Sequence, residues 1–371
     1  MRGNNVLGII FANADDSAVP EITGVRSMAS VPFGGGYRLI DFVLSKMVNA
    51  GMTKVGIITN NNYQSLMDHI GGGKPWDLSR KSEGLYLLPP FNYDAVDNYN
   101  TSRVGALKNI SHFLERSNEE YVFISDCTTV TDAELSELFS FHETKNADIT
   151  VAFVNGKTPA LSDQPVISEM DGDGRVTRLS FGESGQEGRF LAKFTLMKKS
   201  LLERLVAECW AKGLGSFEKD IFMRNLDKLR IYGCEIKGFV RVIDSLASFF
   251  EANFALLDRE NYTRLFCSAP VLTKVYEDMP AVYGLGSSVS NSLIADGCII
   301  NGTVENSILF RGCRVERGAV VKNSILFPHA FIAEDATVEY CITDKSVTIR
   351  HGKTLVGADT YPVYIGKNIQ I

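Results

Sequence analysis

The sequence predicts an α/β domain with a Rossmann-like, mostly parallel sheet, followed by a left-handed parallel β-helix. Three observations predict it. Short apolar runs alternate with amphipathic helical stretches through the first half of the 371-residue chain, the pattern of strands covered on both faces by helices. The character changes near residues 261–280. Beyond them VSNSLI at Val289, VENSIL at Val304, VKNSIL at Val321 and VEYCIT at Val338 repeat, the last two intervals being 17 residues and the first 15. A coil of three short strands needs about 18 residues, so this step fits one coil with a residue trimmed.

The elements follow in order. Residues 6–12 (VLGIIFA) read as a buried strand. Residues 38–50 carry Leu39, Ile40, Val43, Leu44, Met47 and Val48 on one helical stripe, with Gly51 as C-cap. Strands are predicted at 55–59, 121–125 and 149–154, and helices at 63–70 and 134–143. In such sheets ligands bind beyond the C-terminal strand ends, which directs attention to 13–25, 60–62 and Asp126. In the repeat, three registers agree: Val304, Val321, Val338; Ile308, Ile325, Ile342; and Val315, Ile332, Ile349. All nine are expected to point into the coil. The β-rich tail YPVYIGKNIQI is expected to pair with a strand and cap the last coil. The domain reading is 1–260 for the α/β domain, 261–285 for a linker and 286–371 for the β-helix.

Composition narrows the function. Hydrophobic content of 45% and charged content of 22% suit a soluble globular protein. A net charge of -6 argues against a nucleic-acid partner. No apolar stretch reaches the roughly 20 residues that span a bilayer, and the N-terminus MRGNNVLGII has no cleavage-site pattern. The expectation is a cytoplasmic protein with no membrane contact. Seven cysteines form no CxxC pair and read as free thiols. The five histidines do not cluster with them at zinc-ligand spacing. EMDGDGRV, at 169–176, begins like a calcium loop but lacks the later ligands, so a tight hairpin turn is expected there.

A strand, a glycine-rich turn and a helix N-terminus build a phosphate cradle when backbone N–H groups and the helix dipole face the anion. Here VPFGGGYRLIDF supplies a glycine-rich turn entering a helix. The turn directly after the first strand, however, reads NADDSAVPEI. It has no glycine, and Asp15, Asp16 and Glu21 would repel a triphosphate. VPFGGGYRLIDF, HIGGGKPWDLSRKSEGLYLLPP from His69, FEKDI from Phe217, FFEAN from Phe249 and the C-terminal repeats together resemble the ADP-glucose pyrophosphorylase (glucose-1-phosphate adenylyltransferase) family. Within it the chain is most similar to the non-catalytic GlgD-type subunit. The resemblance spans nearly the whole chain and makes the first domain a nucleotidyltransferase domain.

The resemblance implies attack of a sugar phosphate on a nucleoside triphosphate, with Mg²⁺ held by two aspartates, a glycine-rich loop, and cations on the leaving phosphates. Asn13, Ala14, Asp15 and Asp16 stand where catalytic members carry glycines and an arginine. Met28 and Ala29 replace a lysine–proline pair, and Arg26 is nearby but at the wrong residue. Asp126 matches the first metal aspartate. Ala247 stands at the second, and Asp244 lies three residues too early. Thr101–Ala106 (TSRVGA) is the weak counterpart of the base- and sugar-contacting turn. Lys193 is the nearest candidate for the sugar-phosphate lysine.

The resemblance therefore implies a regulatory subunit whose site is degenerate, with Asp126 vestigial and no cofactor of its own. Mg²⁺ is expected in the catalytic partner, a paralogue sharing a hetero-oligomer, expected to be a tetramer. Regulators in the family are small sugar phosphates bound by basic residues between the domains. Arg38 and Lys54 are the effector candidates, and Arg350 and Lys353 are weaker ones. Two alternatives remain open. One is an active adenylyltransferase with unusual site residues, resting on Asp126. The other is a hexapeptide-type acyltransferase using His329 or His351, against which the long α/β domain argues.

Overall fold

The computed structural model describes residues 2–81, 83–89, 102–158, 165–183 and 185–371. In the first domain the apolar runs become strands β1 (Val6–Phe11), β2 (Lys54–Ile58), β3 (Gly84–Leu88), β4 (Tyr121–Asp126) and β5 (Ile149–Lys157). They are followed by β6 (Val166–Met170), β7 (Val176–Phe181), β8 (Glu187–Lys198) and β9 (Ile231–Glu235). The order along the sheet is β7-β6-β8-β4-β1-β2-β3, with β5 pairing β8 and β9. The block β4-β1-β2-β3 is parallel. The long strand β8 is antiparallel to both β4 and β5, so the sheet is mixed rather than parallel throughout. The helices include α1 (Leu39–Asn49), α2 (Arg103–Asn109), α3 (Leu135–Thr144), α4 (Lys199–Ala211), α5 (Leu246–Phe254) and α6 (Arg259–Cys267), and Pro20–Thr23, Gln64–Ile70 and Ser111–Glu115 are shorter helical segments. All six residues of β1 are buried, because helices cover both faces of the central strands.

The second domain is a left-handed β-helix made of three parallel sheets of short strands. It begins with Val282–Tyr283, which pairs with Ile299–Ile300. The expected linker therefore contains a helix, α6, and its last residues already form the first coil. The 17-residue step is the pairing register itself: Val304 faces Val321 and Val321 faces Val338. Asn and Ser of the repeated NS dipeptide explain the turn between strands. Asn291, Asn306 and Asn323 adopt left-handed φ of 42°, 47° and 45°, a region asparagine tolerates. Their amides form a ladder, Asn291 Nδ2 to Asn306 Oδ1 at 2.8 Å and Asn306 Nδ2 to Asn323 Oδ1 at 2.6 Å. The serine hydroxyls below form a second ladder, accepting from the backbone N–H of the next coil. The tail closes the stack. Val363–Ile365 pairs with Cys341–Thr343, and Ile371 N–H donates to Thr348 O at 3.0 Å.

One register departs from the sequence expectation. Val304, Val315 and their coil mates fill the β-helix interior with Leu309 and Leu326. Ile308, Ile325 and Ile342 point the other way and are fully buried against the first domain, with Phe310 and Phe327. Period alone cannot distinguish these faces, since both are buried. The core they join is aromatic. Phe327 meets Phe310 at 5.3 Å and Phe249 at 6.1 Å, Phe249 meets Phe33 at 6.4 Å, and Phe33 meets Phe42 at 5.4 Å. These four pairings join five rings, and each edge-on pair adds about 0.5–1.5 kcal/mol beyond its buried area.

The glycine-rich turn serves this core. Gly34 and Gly35 have φ of +63° and +83°. A Cβ on Gly34 would lie 3.2 Å from Leu256, and one on Gly35 would face Ile308 at 3.8 Å. Gly34 N–H donates to Asn253 Oδ1 at 2.9 Å, so the turn and the FFEAN segment hold each other at the domain boundary. Asp171 likewise has a purely local role. Its Oδ1 accepts from Asp173 N–H and Arg175 N–H within the β6–β7 hairpin.

Candidate functional site

A cleft of about 760 Å³ opens beyond the C-terminal ends of β1, β2 and β3, lined by Phe11, Ile58 and Leu88 at those strand ends. Asp126 ends β4 beneath the cleft, behind the lining residue Arg103, and is fully buried. Its Oδ1 accepts from Thr128 N–H at 3.2 Å and Thr128 Oγ1 at 3.0 Å. Its Oδ2 accepts from Arg103 Nη2 at 3.2 Å. Arg103 begins α2, and its Nη1 also donates to Glu218 Oε1 at 3.2 Å. Its guanidinium lies over the Phe11 ring at 5.4 Å. Burial works against the Arg103 charge, but Glu218, Asp126 and Asp15 outweigh it and the pKa is raised. Burial is also the main force on Asp126 and raises its pKa, with Lys193 and Arg103 opposing it.

The turn after β1 folds on itself. Asp15 has φ 62° and pairs with Lys193 at 3.3 Å. Asp16 Oδ1 accepts from Met28 N–H at 2.7 Å, and Asp16 Oδ2 from Asn13 Nδ2 at 2.7 Å. Asn13 Oδ1 in turn accepts from Asn60 N–H at 2.8 Å. Burial raises the Asp16 pKa to about 6, with Asn13 and Met28 pulling it down. Glu21 is exposed. The Asn13, Asp15 and Asp16 side chains are thus all engaged, with one another or with Met28, Asn60 and Lys193.

Mg²⁺ asks for several oxygen ligands, commonly one or two carboxylates plus phosphate. These residues do not fit it. Both Asp126 oxygens are engaged, one by a guanidinium, and the second position is Ala247 in the first turn of α5. Asp244 accepts from Ser245 Oγ at 3.3 Å. Among the described residues no group of three or more His, Cys, Asp or Glu side chains is placed to hold a metal.

Lys193 was a weak sequence candidate, and the structure puts it in the cleft. Arg103 carried no sequence argument of its own, although TSRVGA contains it. Charge balance was the available signal, since Asp15 on the floor and Asp126 beneath it require cations. Thr101 lies outside the described residues. Arg26 does not point into the cleft at all. It crosses to the β-helix, where its Nη2 donates to Asp344 at 2.7 and 2.9 Å and Tyr364 Oη donates to Asp344 at 2.6 Å.

Near that bridge lies a second group of cations. Arg38 precedes α1, and its N–H donates to Asp41 Oδ2 at 2.9 Å. Its Nη1 donates to Ser65 O at 2.5 Å and Ser65 Oγ at 3.1 Å. Burial, then Arg38 and Arg26, push the Lys345 pKa down to about 7. The structure separates Lys54 from this group. Lys54 begins β2, reached from Arg38 only across the 11-residue α1, about 16 Å of helix. Lys54 is buried, with Nζ 5.1 Å from the Phe113 ring and 5.7 Å from Tyr86. Both rings lie against its ammonium group in a packed setting. Arg350 and Lys353 are exposed, with Arg350 Nη2 donating to Gln370 at 3.4 Å.

The nucleotidyl transferase family model matches residues 9–181, and the GlmU-like C-terminal hexapeptide model matches 281–361. The glycogen biosynthesis protein GlgD of Bacillus subtilis is 30% identical over 100% of this chain and 98% of its own length. That of Geobacillus stearothermophilus is 35% identical over 86% and 83%. The chain belongs to the ADP-glucose pyrophosphorylase family. A glucose-1-phosphate adenylyltransferase of Clostridium acetobutylicum is 30% identical over 86% of each chain. The pyrophosphorylase family thus accounts for both domains and their order. Among the described residues no helix is long and apolar enough to cross a membrane.

Proposed function

We propose that this chain is a regulatory, catalytically inactive subunit of ADP-glucose pyrophosphorylase in glycogen biosynthesis. It would join a catalytic paralogue in a heterotetramer and raise its rate of ADP-glucose formation from ATP and glucose 1-phosphate. One observation carries the reading: Arg103 sits between Asp126 and Glu218 where the reaction needs a metal and phosphates. Phosphoryl-type transfer depends on charge neutralisation and positioning, and the acids of the first turn supply the opposite sign. Mg²⁺ would serve the partner alone. The domain boundary, in contrast, is fully built.

A small anionic sugar phosphate is the proposed effector, bound near Arg38 and Lys345. Coupling of about 1–3 kcal/mol between subunits changes an affinity roughly 5–150-fold. The test measures ADP-glucose formation by this chain alone, by the catalytic paralogue alone and by the mixture. Silence alone with a gain in the mixture supports the proposal. A mixture equal to the paralogue alone, with no co-elution, would sink it, and turnover by this chain alone would favour an active enzyme.

A further inference from the structure

We propose that Arg103 is a built-in replacement for a divalent cation, so the cleft neither needs nor accepts a metal. Five charged groups meet at its floor: Asp15 and Glu218, with Asp126 buried behind them, against Arg103 and Lys193. Each acid has a cationic partner, Asp126 and Glu218 on the two arms of Arg103 at 3.2 Å each and Asp15 on Lys193 at 3.3 Å. These groups come from separate parts of the fold: the turn after β1, the end of β4, the start of α2, β8, and the Phe217–Phe222 turn. A metal ion bridging carboxylates would join such walls through oxygen ligands. Here a planar fork does so covalently tethered to the chain, with its face on Phe11, an arrangement a hydrated metal ion could not adopt.

Local structure positions the fork. Ser102 caps α2, its Oγ accepting from Gly105 N–H at 3.0 Å, which sets Arg103 at the first helical position beside Asp126. On the other side Ser216 Oγ accepts from Lys219 N–H at 3.2 Å and Asp220 Oδ2 from Ser216 N–H at 3.0 Å. That cap holds the turn bearing Glu218. The Asp126 side chain is only 1% exposed, so solvent cannot substitute for Arg103 at that carboxylate. It rests on the same Arg103 geometry as the proposed inactivity, but its test reads metal binding by this chain rather than ADP-glucose formation, so the two can fail separately.

The experiment uses the full chain, Mn²⁺ as the metal probe, and thermal unfolding. Wild type is expected to leave the free Mn²⁺ resonance signal undiminished, and its melting temperature should be indifferent to Mg²⁺ or a chelator. Arg103→Ala is expected to melt about 4 °C lower, because a buried carboxylate loses its partner. Adding Asp126→Asn to that variant should restore most of the loss, since the uncompensated charge is then gone. A Mn²⁺ site that appears in Arg103→Ala and vanishes in the double variant would be the strongest support. Should Arg103→Ala not fold, Arg103→Lys keeps one charge and should melt between wild type and Arg103→Gln. The proposal is overturned if wild type binds Mn²⁺ in a manner that Asp126→Asn abolishes. It is equally overturned if Arg103→Ala melts with wild type.

Discussion

Replacing Arg26 by methionine tests how the two domains are joined. The Arg26 and Asp344 side chains are 2% and 0% exposed, and the carboxylate takes both contacts from one guanidinium nitrogen at 2.7 and 2.9 Å. Arg26→Met fills similar volume over Phe327 and leaves Asp344 charged, with Tyr364 Oη and Lys345 N–H as its remaining donors among the described residues. Removing one partner of a buried pair costs about 3–5 kcal/mol. For 371 residues, about 2.1 cal/mol/K each gives an unfolding entropy near 0.8 kcal/mol/K. The expected drop is therefore about 5 °C if the shared core makes both domains melt together. Scanning calorimetry near neutral pH measures it. Adding Asp344→Asn should recover part of the loss, and the drop should persist in about 0.5 M salt because buried pairs are little screened. A single transition within about 1 °C of wild type would refute the reasoning, since the energy would then reside in packing alone.

Other outcomes follow from the same contacts. Phe327→Ala should cost about 3–5 kcal/mol and split the calorimetric transition in two, because Phe327 touches both Phe310 and Phe249. Asp16 has a folded pKa of about 6 against 3.8 unfolded. Its contribution to stability is full below pH 3.8 and lost as pH rises through 6; Asp16→Asn should flatten that slope in pH-dependent denaturant melts. Lys345 has a folded pKa of about 7 against 10.5. The unfolded chain then binds the extra proton, so stability should rise with pH from 7 to 10.5, and Lys345→Gln should lose that rise. For the same reason inorganic phosphate should bind near Arg38 with proton uptake above neutral pH, visible by calorimetry in buffers of different ionisation heat.

Much of the architecture was legible because it rests on periodicity. The apolar runs at 6–12, 55–59 and 121–125 became β1, β2 and β4 within a residue or two, since a strand buried on both faces must be apolar throughout. The 17-residue step became the pairing register of the β-helix. The acids at Asp15 and Asp16, the alanine at 247 and the methionine at 28 likewise speak directly from the sequence, because a missing charge needs no coordinates to be noticed.

What the tertiary structure decided is which buried surface faces which. Ile308, Ile325 and Ile342 share the period of the β-helix interior yet pack on the other domain. Arg26, close in sequence to the turn after β1, spans 318 residues to Asp344. Lys54 and Arg38 look equivalent as cations near one helix, but one lies under aromatic rings and the other at the domain boundary. Arg103 and Glu218 are 115 residues apart and acquire meaning only when the fold sets them around Asp126. Composition and local pattern determine where each segment can be buried. Pairing of charges across segments depends on distances that only the folded chain creates, because electrostatic energy in a buried site varies steeply with separation and exposure.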